Sequence, residues 1–471
     1  QRVVLAGVLL RDLDALAVLL LVLELEQVGR PQARTDLGGA VGVGHAEELL
    51  VRDAGRDQRD AGVARGDQAA LGAGAVDPPG VGPGDALASD DLIKGATTGV
   101  SIIDVATGDE LLDHDAGKAL TPASSNKVLT AWTALQVLGA DHRLTTSAVL
   151  DGSTLTLVGG GDVLLSSDKG DASATAGHAG LGDLARAAAK RLKAQGVTKV
   201  SVRLDDTMFS GPTWNDGWES GNEAWVAPVQ PIMIDVSAVK EGSGYPADPA
   251  MEAAQAFVTH LKEAGITVHG DLSRAAAPDG ATELASVRSA PLEDVLAVSL
   301  KASDNTMTEV EGRVTAVAAG NEGSFEGATA TVAARLKKDG FDTSGLVLKD
   351  SSGLAKADKV PARLLAQVIA RAAGSDGGTA GRTLIGDLPV GALDGTLDDR
   401  FNGAAGAGTV RAKTGSLDQV SSLTGTVVTK DGRLLAFSVI LDGFESGGLG
   451  SARVAMDQDL IGPLADCGCR G

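Results

Sequence analysis

Aromatic residues make up only 3% of this 471-residue chain, and it has two cysteines, Cys467 and Cys469, at its extreme C-terminus. That pair excludes a disulfide framework and a spaced zinc site, and reads as a tail without chemistry of its own. The six histidines (His45, His114, His142, His178, His260 and His269) contain no HExxH pattern and no other close ligand spacing. No GxSxG turn is present to seat a serine for a histidine, so a Ser-His-Asp arrangement stays open on spacing alone but without support. Basic residues are also in deficit, 41 Lys and Arg against 62 Asp and Glu, a net charge of -21. Phosphate binding needs clustered Lys and Arg, so nucleic acid is not an expected partner. An anionic substrate would have to be held by local basic groups.

What is plentiful is Gly, at 63 residues, together with Ala. Both have GC-rich codons, and the bias reads as genomic, not as disorder. An apolar content of 43% is ordinary for a folded protein, and the length predicts two or three domains of roughly 100–200 residues each.

The first part of the chain does not read as ordinary coding sequence. Before Ile93 it contains no Lys, Asn, Ile, Phe, Tyr, Trp, Met or Cys. The apolar stretch 3–28 is interrupted by Arg11, Asp12, Asp14, Glu24 and Glu26, leaving 15–23 as its longest uncharged inner run. A spanning helix needs about 20 predominantly apolar residues, so neither an export signal nor a clean membrane segment is recognisable. A low-complexity extension and a segment read in the wrong frame from GC-rich DNA both fit. Residues 1–84 are expected to be poorly packed, with Pro78, Pro79 and Pro83 marking a linker.

From Gly95 the pattern turns orderly. Residues 97–106 (TTGVSIIDVA) and 110–112 predict a strand-turn-strand opening. Apolar spacing predicts helices over 126–138, ending at Gly139, and over 181–195 and 251–264; strands follow the last two, at 198–204 and 266–269. Strands are also predicted at 410–414, 423–428 and 434–440, and a last helix at 449–464.

Three short strings carry chemistry. In TPASSNKVLTAWTAL, Ser124 and Lys127 stand three apart on a first helical turn, which puts both side chains on one face. A serine hydroxyl is a weak nucleophile, and a nearby desolvated amine can take its proton. The helix N-terminus adds positive potential near a developing oxyanion. In LKASDNTMTEV, Ser303 offers a hydroxyl that can relay a proton and Asn305 an amide that can grip a peptide bond. In Lys413-Thr414-Gly415, followed by Ser416, Lys supplies positive charge and Thr a hydroxyl for a carboxylate, while Gly lets substrate approach the strand. Each string alone has a bland reading: SxxK by chance, SDN as a helix cap, KTG as a turn. All three in this order form the set used by penicillin-binding proteins and class A β-lactamases.

With these motifs the chain, from about Ala86 to its end, resembles the class C low-molecular-mass penicillin-binding proteins, D-alanyl-D-alanine carboxypeptidase/endopeptidases of peptidase family S13. LTLVGGGDVLL (155–165), FSGPTWNDGW (209–218), VAPV (226–229), SSGLAKADKV (351–360) and LPVGALDGTLDDRF (388–401) look like family segments, and the closing CGC is similar to actinobacterial members. The resemblance implies a mixed α/β fold of the penicillin-binding-protein and serine β-lactamase type: a five-stranded antiparallel sheet flanked by helices. The 179 positions between Ser124 and Ser303 leave room for one or two inserted domains. Residues 85–150 plus 288–471 would form the catalytic domain and 151–287 the insertion. The glycines 159–161 lack a following Lys-Ser/Thr and read as a tight turn, not a phosphate loop.

Carried over residue by residue, the resemblance implies a serine-type D-Ala-D-Ala carboxypeptidase. Ser124 attacks the penultimate D-Ala carbonyl and Lys127 is the general base. Ser303, with Lys413, passes a proton to the leaving D-Ala. Asn305 holds the substrate amide, and Thr414, Gly415 and Ser416 form the substrate-binding strand, with Thr414 and Ser416 taking the terminal carboxylate. The backbone N–H groups of Ser124 and Ser416 form the oxyanion hole. The implied partners are a peptidoglycan stem peptide ending in D-Ala-D-Ala and β-lactams as covalent inhibitors, with no metal or organic cofactor, in an extracytoplasmic location. Ser416 stands where many relatives have Thr, and PASSNK where PASNTK is more usual. Asp216, Glu219 and Glu223 lie in a segment that in relatives contributes to recognising the amine of a diaminopimelic stem peptide; as plain surface acids they need no such role. Two rivals remain. A class A β-lactamase would need a deacylating Glu between SxN and KTG, and no ExxLN string is found there. A silent binding protein would tend to have lost one of the motif residues, and none is missing.

Overall fold

The computed structural model describes residues 83–239 and 244–468. The expectations for residues 1–82, and for Cys469, lie outside the described residues. Where a linker is expected up to residue 84, Pro83–Ala88 forms a short helix. Cys467 is disulfide-bonded, so the tail cysteine is a cross-link, not an inert thiol.

In chain order, strands β1 (Thr97–Asp104) and β2 (Glu110–His114) make the opening hairpin, and a 3-10 turn (Ala123–Asn126) runs into helix α1 (Lys127–Val137). Strands β3 (Thr145–Asp151) and β4 (Thr154–Val158), helix α2 (Leu181–Ala194), strand β5 (Lys199–Asp205), helix α3 (Pro249–Glu263) and strand β6 (Thr282–Arg288) follow. Five helices come next: α4 (Leu292–Ala302), α5 (Asn305–Ala318), α6 (Phe325–Lys338), α7 (Ala362–Ala373) and α8 (Gly378–Asp387). Strands β7 (Val410–Leu417), β8 (Val420–Val428) and β9 (Leu434–Asp442) close the sheet.

The first sheet is antiparallel in the order β7-β8-β9-β1-β2. Helices cover both faces. On one, Leu129 and Trp132 of α1 and Leu365 and Ile369 of α7 pack with Ile440 of β9. On the other, Phe437 and Leu441 of β9 pack with Phe444, Met456 and Leu460 of the C-terminal segment. With both faces buried, β1 and β9 lose the in-out burial alternation of a half-exposed strand, and β9 (LLAFSVILD) reads as a near-continuous apolar run.

A second sheet, of six strands, is built from 145–288, with β4 and β5 parallel through α2. It contains β3, so this sheet begins at Thr145, a few residues before the position 151 read from sequence. Leu181, Leu184, Ala185, Ala188 and Leu192 recur at helical spacing on the buried face of α2 and meet Phe257 of α3 over it. The glycines 159–161 make a close approach: a Cβ on Gly160 would lie 1.9 Å from Thr145 O, and Gly161 has φ +95°. That is the tight turn expected.

The last helix is not uniform. A π-helical stretch, Met456–Ile461, separates Leu449–Ala455 from Gly462–Asp466. Pro463 has no N–H to donate and its ring crowds the carbonyl one turn back, which a wider π turn accommodates. Among the described residues no helix is long and apolar enough to cross a membrane.

Candidate active site

The three strings converge where α1, the α4–α5 corner and the edge strand β7 meet. Lys127 is fully buried, and its Nζ lies 2.9 Å from Ser124 Oγ, 2.7 Å from Asn305 Oδ1 and 2.9 Å from Ser352 O. Two of those partners are pure acceptors. A neutral amine gives them its two N–H bonds and turns its lone pair toward Ser124 Oγ, the direction a base needs. Burial lowers the Lys127 pKa to about 8 against the pull of Asp350 and Glu309. The neutral form is therefore accessible in water near neutral pH.

Lys413 is fully buried too. Its Nζ donates to Ser303 Oγ at 2.8 Å and to Thr414 O at 2.9 Å. Burial, and then the like charge of Lys127, hold its pKa well below the ordinary lysine value. The two amines thus sit in one electrostatic field, each beside a serine hydroxyl.

Ser303 is the C-cap of α4, in left-handed geometry at φ 59°, and Asp304 is the N-cap of α5, accepting from Met307 N at 2.8 Å. The cap reading of SDN holds, and the same corner brings Ser303 Oγ to Lys413 Nζ. The left-handed residue breaks the two helices apart and presents the Ser303 hydroxyl at the corner. Ala123, next to the nucleophile, also has positive φ, at 47°. A non-glycine residue there costs about 1–3 kcal/mol, and such residues concentrate at active sites.

Asn305 departs from its expected use. Its Oδ1 accepts from Lys127, and its Nδ2 donates to Trp225 O at 3.0 Å. Both ends of the amide are engaged within the protein, leaving one N–H for a substrate. Its first task is to orient the amine. Thr306 Oγ1 accepts from Ala227 N at 2.9 Å, so the VAPV segment is tied to the same corner.

Gly415 has a packing reason. A Cβ there would lie 2.2 Å from Ser422 Oγ, 2.7 Å from Pro122 O and 3.0 Å from Ser124 N. The missing side chain makes room for the nucleophile's own turn. Ser422 Oγ donates to Pro122 O at 2.6 Å and lies 2.8 Å from Ser125 Oγ, pinning the turn onto the sheet. We expect Gly415→Ala to displace Ser124 and slow acylation by a β-lactam about 10²-fold, the scale of a misplacement near 1 Å. A second-order acylation constant within a few-fold of wild type would overturn this reading of Gly415.

The open side of the site is the outer edge of β7. Gly391 N donates to Val410 O and Ala412 N to Pro389 O, so even-numbered positions turn their backbone outward while odd ones pair with β8. Among the described residues this covering stops at Ala412. The same alternation turns Thr414 and Ser416 outward, and places the Ser416 N–H on the edge next to the Ser124 turn. Thr414 Oγ1 donates to Thr396 Oγ1 at 2.8 Å, and Ser416 Oγ accepts from Arg453 Nη2 at 3.0 Å.

Several contributors had no signal of their own in sequence. Both carboxylate oxygens of the fully buried Glu309 accept from Ser351 N at 3.1 Å, and Oε1 also takes Ser352 N at 2.8 Å, fixing the carbonyl that holds Lys127. Burial raises the Glu309 pKa. Asp350 accepts from Gly353 N, Ala355 N and Trp218 Nε1. A Cβ on Gly353 would lie 1.9 Å from Ala123 O. The strings SSGLAKADKV and LPVGALDGTLDDRF, which supply Ser352, Gly353 and Thr396, were visible as family segments without assigned roles. The acids Asp216, Glu219 and Glu223 lie at the surface, and Glu219 pairs with Lys356 at 2.7 Å. No group of three or more His, Cys, Asp or Glu suited to a metal occurs among the described residues.

The comparisons with known proteins agree on one family. The family described as D-Ala-D-Ala carboxypeptidase 3 (S13) matches residues 84–244 and 239–460. A carboxypeptidase of Mycobacterium tuberculosis is 38% identical over 355 residues, covering 72% of this chain and 74% of that protein. A D-alanyl-D-alanine carboxypeptidase of an Actinomadura species is 28% identical over 472 residues, covering 81% and 84%. Among solved structures, penicillin-binding protein 4 from Haemophilus influenzae superposes with a TM-score of 0.69 at 21% identity, covering 82% of this chain and all of that one. It has also been solved complexed with a β-lactam.

Proposed function

The chain belongs to the D-Ala-D-Ala carboxypeptidase S13 family, and from its site we propose that it removes the terminal D-Ala of peptidoglycan stem peptides through an acyl-enzyme on Ser124. The observation that carries the mechanism is the contact of Ser124 Oγ with a buried amine whose other two partners are fixed acceptors.

Neutral Lys127 takes the Ser124 hydroxyl proton as Oγ attacks the penultimate D-Ala carbonyl carbon. The negative charge that develops on the carbonyl oxygen lies between the N–H groups of Ser124 and Ser416, each donor worth about 2.7–4 kcal/mol in such sites. The parity of β7 supports the Ser416 assignment. The substrate strand lies along the open β7 edge, in the manner of a peptide added to a sheet. As the C–N bond breaks, the leaving amine collects its proton from Ser303 Oγ; the proton that Lys127 took from Ser124 is handed on through Lys413 Nζ to restore Ser303, so both lysines end neutral. The remaining N–H of Asn305 faces the substrate amide. Water then attacks the ester carbonyl and gives a proton to neutral Lys127, which returns it to Ser124 Oγ as the ester bond breaks.

A β-lactam presents a strained amide to the same oxygen and leaves a slow-hydrolysing ester, which makes it a covalent inhibitor. Because peptidoglycan lies outside the cytoplasmic membrane, this reading calls for an extracytoplasmic enzyme, secreted or membrane-anchored. The experiment is labelling with a fluorescent penicillin followed by peptide mapping. We expect one stable penicilloyl adduct on the peptide carrying Ser124, together with D-Ala release from a peptide ending in D-Ala-D-Ala. Rapid turnover of the penicillin without D-Ala release would make the protein a β-lactamase. No adduct at all would make it a silent binding protein.

A further inference from the structure

One cation beside Ser416 has no part in the mechanism above. Arg453 lies on the short helix Leu449–Ala455, exposed, and its Nη2 donates to Ser416 Oγ at 3.0 Å. Two acids act on it through space, Asp399 and Asp457, and Asp457 is engaged by Arg400 through both Nε and Nη2. Arg453 itself makes no ion pair among the described residues.

Its position matters because of what the neighbouring groups lack. Thr414 and Ser416 point their side chains to the same face of β7, opposite to Lys413 and Gly415. A terminal carboxylate seated against those two hydroxyls meets neutral donors only. Lys413 cannot be counted on for charge, since it is fully buried beside a second amine. A guanidinium stays charged at any working pH and has five N–H donors in a planar fork. One of them is directed at Ser416, which leaves others to meet an anion beside that hydroxyl. In a chain of net charge -21, an anionic substrate needs such a local cation.

We propose that Arg453 is the specificity residue for the free C-terminal carboxylate, recognising it jointly with Ser416 and so favouring a chain terminus over an internal peptide bond. This rests on the Ser124 carboxypeptidase reading.

The test uses the full chain as wild type, Arg453→Ala and Arg453→Lys. A peptide ending in D-Ala-D-Ala, as its free acid or as its C-terminal amide, competes with fluorescent penicillin for Ser124, and the half-protecting concentrations are compared. In the wild type the acid should protect at a roughly tenfold lower concentration than the amide, the worth of one charge-assisted hydrogen bond. Arg453→Ala should erase that difference, and Arg453→Lys should restore part of it. Equal protection by acid and amide in the wild type overturns the proposal, and so does a preference that survives in Arg453→Ala. Absence of any label on wild-type Ser124 would instead defeat the nucleophile assignment itself, so the two failures are distinguishable.

Discussion

Ser124→Ala is expected to abolish penicillin labelling and to lower kcat for D-Ala release by about 10⁶-fold, the loss seen when a serine hydrolase loses its nucleophile. The change removes one oxygen and adds nothing. Ser124 is half-buried, and among the described residues its hydroxyl bonds only to Lys127, which keeps Asn305 Oδ1 and Ser352 O as acceptors. The fold should therefore survive, with a stability change within about 0.5–1 kcal/mol. The measurement is penicilloyl mass on the intact protein beside a thermal unfolding curve. A variant that still acquires the adduct, on any residue, would show that the attacking oxygen belongs elsewhere, with Ser125 and Ser303 the obvious places to look.

The second large effect is on pH dependence. For Lys127 to accept a proton it must be neutral, and burial brings its pKa to about 8. The acylation rate should then be flat above pH 8 and fall tenfold for each pH unit below it, because the neutral fraction falls by that factor. Lys127→Ala should lose about 10²–10⁴-fold in acylation, the usual worth of a general base, and should lose this acidic limb as well. The second-order rate constant for a β-lactam, measured across pH 6–10, reads both. If the limb persists unchanged in Lys127→Ala, the titrating base is Lys413, whose pKa burial and Lys127 also lower. Loss of magnitude alone could come from a damaged pocket; loss of the limb could not.

Neither result depends on one motif, and that bears on how much the sequence could say. Ser124 and Lys127 are legible as a pair because a helical turn fixes their relation locally. The helix over 126–138 and its stop at Gly139 follow from apolar spacing, and the structure differs only in winding the first turn as a 3-10 turn. Asp304 as a cap is local as well. The packing reason for Gly415 lies far along the chain, in Pro122 and Ser422, where no local spacing could show it. Asn305 was assigned to substrate because nothing local shows that Lys127 and Trp225 take its amide first. Glu309 gave no signal at all. Its task is to hold the N–H groups of Ser351 and Ser352, and that exists only once α5 lies beside that loop. The extent of β7 was underestimated for a similar reason. Gly415, Ser416 and Leu417 have weak strand character, and pairing with β8 from Val420 onward is what extends them.

The sequence by itself determined the three strings, their order, the elements that carry them and the apolar faces that bury them. All of these depend on chain-local spacing. Only the tertiary structure decided that two lysines share one buried site, that the Lys127 amine is held against Ser124 by two fixed acceptors, and that Arg453 stands beside Ser416. An amine's basicity depends on water being excluded from every side, and a lone pair's direction depends on acceptors contributed by other segments. Neither quantity exists until residues 178 and 225 positions away from Lys127, Asn305 and Ser352, are packed against it.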